Sequence, residues 1–139
     1  LLEDDFLHKP NSKKILIEGL NKFDAYVTLY DHPDKYMPID KGGNPFVQEG
    51  GEITRLVITN SVHWKITNST VMSFAAKVSR LKKDLDLLNK YSSERMTNSF
   101  KFFLELNETK SIPVISSVPG YSTHGEEYWL SPFTNWNKI

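Results

Sequence analysis

Val71, Phe74, Val78, Leu81, Leu85 and Leu88 follow one another at alternating spacings of three and four residues. An α-helix turns once in 3.6 residues, so this spacing lines the six side chains along one ridge. A strand would scatter them over both faces. The ridge therefore predicts a helix over residues 70–91 that lies lengthwise on another apolar surface. Two surfaces satisfy it: the sheet and a second helix of its own chain, or the helix of a partner or second copy. Ala75 and Ala76 permit close approach at one end, while Lys77, Arg80, Lys82 and Lys83 make the flanks basic against Asp84 and Asp86.

The flanking residues complete a helical hairpin. Asn68, Ser69 and Thr70 carry side-chain oxygens suited to the exposed N–H groups of a helix start, and Lys90 suits the negative end. Ser92 and Ser93 can break that helix and cap a second, in which Met96, Phe100, Phe103 and Leu104 share a face.

Strand signals lie on both sides of the hairpin. Residues 15–17 form a short apolar run ended by Gly19 and Asn21, and residues 25–30 alternate β-branched and aromatic side chains, so the two read as a β-hairpin. Residues 53–58 give another strand, and Val62, Trp64 and Ile66 alternate with His63, Lys65 and Thr67 as one buried and one wet face. Thr59, Asn60 and Ser61 between them fit either a turn or a bulge. Residues 112–118 form a further strand, in which Pro113 calls for an edge position or the strand's first residues. The expected fold is a single α+β domain with a small antiparallel sheet packed against a two-helix hairpin.

Between residues 31 and 51 stand Pro33, Pro38, Gly42, Gly43, Pro45, Gly50 and Gly51, too many breakers for a helix or a central strand. This long loop is either a contact surface or a connection pinned to the core by Tyr36, Met37, Ile39, Phe46 and Val47. The last segment, residues 119–139, crowds Tyr121, Tyr128, Trp129, Phe133 and Trp136 among polar residues. Such rings suit protein interfaces, sugar faces or docking onto their own sheet.

Composition removes whole classes of function. The chain of 139 residues has no cysteine, which excludes disulfide frameworks, thiolate metal sites and cysteine nucleophiles. Lys plus Arg and Asp plus Glu both total 17, so no net field draws the chain to nucleic acid, which is disfavoured as a partner. No apolar run is long enough to span a bilayer. Glu3, Asp4 and Asp5 stand where a secretory signal would be basic, and a start at Leu1 without Met makes a trimmed or processed origin the expectation, so the compartment stays open.

Catalytic signals are weak. The stretch from Pro119 through Ser122 to His124 and Gly125 superficially matches a nucleophile elbow, but His124 occupies the place of a small residue and no helix signal follows. His124, Glu126 and Glu127 form a sparse metal-ligand group, as do Asp31, His32 and Asp34, and neither has motif spacing. Sequons at Asn68 and Asn107 occur at chance frequency. No catalytic residue, cofactor or metal is assigned. The reading is a non-enzymatic interaction or assembly module, using the helix ridge and the aromatic tail toward a protein partner or a second copy. The alternative is a ligand-binding or sensory domain that recognises a glycan or small molecule through the tail rings.

Overall fold

A computed structural model of the chain describes residues 4–47, 51–71, 73–93 and 98–139. Helix and strand are mixed in it, as expected of an α+β chain. The strands are β1 (Phe6–His8), β2 (Tyr26–Thr28), β3 (Leu56–Ile58), β4 (His63–Ile66), β5 (Val114–Val118) and β6 (Ser122–His124). The helices are α1 (Ser12–Lys22), α2 (Val78–Lys83), α3 (Leu85–Ser92) and α4 (Ser99–Thr109). A four-stranded sheet runs in the order β2-β5-β4-β3, and β1 and β6 form a separate antiparallel ribbon.

Alternation along β2, β4 and β5 divides the core in two. Val27, Trp64 and Ile115 turn to one face, where Ile15 of α1 joins them. Tyr26 and Val114 turn to the other, beneath Phe102, Phe103 and Leu106 of α4. Phe74, Leu81 and Leu88 pack against this second cluster. Helices therefore cover both faces, and β5 between β2 and β4 is buried nearly throughout.

The structure corrects five expectations. Residues 15–17 belong to α1, not to a strand. Gly19, read as a breaker, is a point of closest approach inside that helix: a Cβ there would stand 2.9 Å from Val27 and 3.0 Å from the Trp64 ring. The sheet is mixed, because β2 pairs with β5 in parallel while the β3–β4 and β4–β5 pairs are antiparallel. The predicted helix over residues 70–91 begins only at Val78 and is interrupted at Asp84. Ala75 exchanges two backbone hydrogen bonds of 2.8 Å with Val27, which holds residues 73–76 against the sheet edge and delays the helix. Asn68 and Ser69 cap nothing, since both receive hydrogen bonds from the ammonium of Lys35.

The other ambiguities resolve locally. Thr59 N–H donates to the Val62 carbonyl at 3.0 Å, so β3 and β4 form a hairpin. Pro113 immediately precedes β5, where its missing N–H costs the ladder nothing, and β5 is central rather than an edge. Asn98 caps α4 by accepting from Lys101 N–H at 3.0 Å. Met96, assigned to the face of this helix, lies outside the described residues.

Candidate functional site

The ridge is split between core and surface. Phe74, Leu81 and Leu88 face the Tyr26–Phe103 cluster. Val71, Val78 and Leu85 are 45%, 67% and 52% exposed. Val71 and Phe74 precede the helical turns, so the helical part of the exposed surface is Val78 on α2 and Leu85 on α3. Asp84 fixes the junction between those helices: its buried carboxylate accepts from Arg80 Nε at 2.5 Å and from the Tyr26 hydroxyl at 3.2 Å. Arg80 also donates to the Asp24 carbonyl at 2.6 Å. Two of the basic flank residues are therefore engaged internally, Arg80 with Asp84 and Lys83 with Asp24 at 3.3 Å. Lys77, Lys82 and Asp86 are exposed, and none has an ion-pair partner among the described residues.

The aromatic tail is turned mostly inward. Trp136 is 6% exposed and donates its Nε1–H to the Ser131 carbonyl at 2.7 Å. Trp129 lies against the His32 ring, and its carbonyl accepts from the buried Tyr30 hydroxyl at 2.6 Å. Tyr121 packs on the α1 side of the core. Tyr128 donates to the Lys41 carbonyl at 2.6 Å while its ring stays exposed, and Phe133 is 74% exposed. The candidate ligand-binding rings thus do not converge on one open surface.

The long loop covers a polar network that sequence reading did not anticipate. Lys65, expected on a wet face, is buried beside Ser116 of β5, and its ammonium stands 2.8 Å from Asp31 and 3.4 Å from Glu52. Tyr36 donates to the other Asp31 oxygen at 2.8 Å and accepts from Lys65 at 3.2 Å. Lys35, also buried, donates to Asn68 at 2.5 Å and Ser69 at 2.8 Å. Glu52 accepts from Thr67 and from Asn68 N–H. Burial pushes the Asp31 carboxyl up against the opposing pull of Lys65, and pushes the Lys35 ammonium down. The Tyr36 phenol is raised to about 12 by burial and by the Asp31 charge.

Every charged head in this network has an ion or hydrogen-bond partner inside it. The arrangement anchors the loop to the sheet, and its charges are satisfied internally. The only sequence signals were Lys65 at a strand position and Asp31 just past a strand end, and nothing local links them.

The remaining candidates are dispersed. His124 Nε2 lies 3.0 Å from Asp5, and its Nδ1 accepts from Glu126 N–H at 3.2 Å. Glu126 and Glu127 are exposed. Among the described residues no group of three His, Asp or Glu side chains is placed to hold a metal ion. Ser122 belongs to β6, and no hydrogen bond joins it to His124. Among the described residues no helix is long and apolar enough to cross a membrane. Comparisons with protein-family models, with curated proteins and with solved structures give no match.

Proposed function

We propose that this chain is a protein-assembly module whose contact surface is the outward half of the α2–α3 ridge, and that a second copy of the chain occupies it. The observation that carries the reading is the split of a single periodic row. Phe74, Leu81 and Leu88 suffice to seat the segment on its own core, while Val78 and Leu85 keep more than half of their surface in water. Apolar residues repeated on a solvent-facing helix row are the ordinary material of helix-to-helix contacts.

Charge favours a second copy. Lys82 on α2 and Asp86 on α3 lie four positions apart across the Asp84 junction, both exposed and without an ion-pair partner among the described residues. A two-fold axis sets two antiparallel helices with the same flanks together, so the Lys82 ammonium of one copy meets the Asp86 carboxylate of the other while Val78 packs near Leu85. A basic or acidic partner of one sign would satisfy only half of that flank.

Light scattering across a hundredfold concentration range tests the proposal. A dimer is expected, converted to folded monomer by Val78→Glu with Leu85→Glu. A monomer at every concentration that binds a heterologous helix would replace the second copy by another partner. A dimer unaffected by the two substitutions would place the interface elsewhere.

A further inference from the structure

Separate from the helix surface, a cleft of about 200 Å³ lies where α1, the edge of β2 and the segment before α2 approach the β1–β6 ribbon. Its walls are apolar: Leu16 from α1, Val27 and Leu29 from β2 and its extension, and Phe74. Its polar groups are few. His8 and Ser122 are register partners in β1 and β6, so their side chains stand on the same side of the ribbon, and both line the cleft with Ser73. Ser122 is fully buried, and its hydroxyl has no hydrogen-bond partner among the described residues. His8 stands at the exposed rim, and partial desolvation holds its imidazole below the ordinary value.

These features select a ligand by size and by charge. A void of about 150 Å³ with aliphatic and aromatic walls accepts a benzene-sized molecule, so this one has room for a single ring with a substituent. Among the described residues no Lys, Arg, Asp or Glu lines the cleft, and a charged ligand would lose its hydration without a counter-ion. A buried hydroxyl without a partner is costly, and a ligand group that hydrogen-bonds to it removes that cost. We infer that the cleft binds a small uncharged molecule of single-ring size bearing one hydroxyl or N–H group, with that group at Ser122 and the ring among Leu16, Val27 and Leu29.

Phenol, toluene and benzoate titrated into the methyl-labelled chain, followed by NMR, supply the test. Phenol should shift the methyl signals of Leu16, Val27 and Leu29 saturably, toluene more weakly, and benzoate not at all. Ser122→Ala should weaken phenol about threefold to tenfold and leave toluene unchanged. Ala75→Leu, which fills the cleft from its rim, should abolish both while the spectrum keeps its folded dispersion. The inference is overturned if neither phenol nor toluene gives a saturable shift at these methyls, if phenol binds Ser122→Ala and the native chain equally, or if Ala75→Leu retains the phenol shifts.

Discussion

The helix ridge and the C-terminal segment both carry a row of large apolar side chains, yet the ridge leaves half of its residues in water while the tail buries Trp136, half-buries Tyr121 and Trp129, and exposes only Tyr128 and Phe133 of its five rings. Backbone geometry explains the difference. A helix distributes side chains around a cylinder, so α2 and α3 resting on one sheet face cannot bury both Leu81 and Val78. The tail is irregular and turns each residue separately. It sinks Trp136, gives the ring N–H a carbonyl at Ser131, and lays Trp129 over the Tyr30 hydroxyl. Aromatic crowding in a sequence thus says little about exposure, whereas a two-sided helical ridge limits how much one sheet can cover.

Substitutions can break this comparison, and the largest effect is expected in the tail. Trp136→Ala should cost about 3–5 kcal/mol in urea denaturation, because a buried ring and its hydrogen bond are lost together. A loss below about 1 kcal/mol would mean that the tail is only loosely attached. Alkaline titration compares the regions next, since a buried phenol lies beneath each: Tyr30 under the tail and Tyr26 under the helices. Burial raises both phenols, with nearby carboxylates adding to it. The unfolded chain ionises them near pH 10 while the folded chain does not, so stability is intact below pH 10 and falls as pH rises beyond it. The slope should be about 1.4 kcal/mol per pH unit for each phenol, and Tyr26→Phe or Tyr30→Phe should each remove one such share.

Within the ridge the contrast is finer. Leu81→Ala should cost about 2 kcal/mol, and Val78→Ala within about 0.5 kcal/mol when the protein is dilute enough to be monomeric. Equal losses would erase the inward and outward distinction. Phe133 should show the smallest effect. Its ring is exposed and its φ is +65°, a left-handed value that glycine adopts freely. Phe133→Gly should leave the melting temperature unchanged or raise it by a few degrees.

Local chemistry made part of this fold legible. β2, β4 and β5 announce themselves through Tyr26, Val27, Trp64 and Ile115, whose alternation is a property of neighbouring residues. The helical turns carrying Leu81 and Leu88 were legible for the same reason. The start of α2 was not, because it depends on hydrogen bonds between Ala75 and Val27, far apart in the chain. Helix α1 was missed because contiguous Ile15, Leu16 and Ile17 suit strand or helix equally, and because Gly19 serves contact with Trp64 rather than a turn. Lys65 looked solvated because its partners Asp31 and Glu52 arrive only when the loop closes over the sheet. The cleft at Ser122 likewise exists only once His8 lies opposite it.

The proposed assembly is tested most directly by cross-linking, for which a chain without cysteine gives no background. Val78→Cys and Leu85→Cys variants would be prepared separately, mixed, and treated with a short bis-maleimide. The antiparallel pairing predicts that the mixture yields far more covalent dimer than either variant alone. Equal yields in all three samples, or none in the mixture, would contradict it.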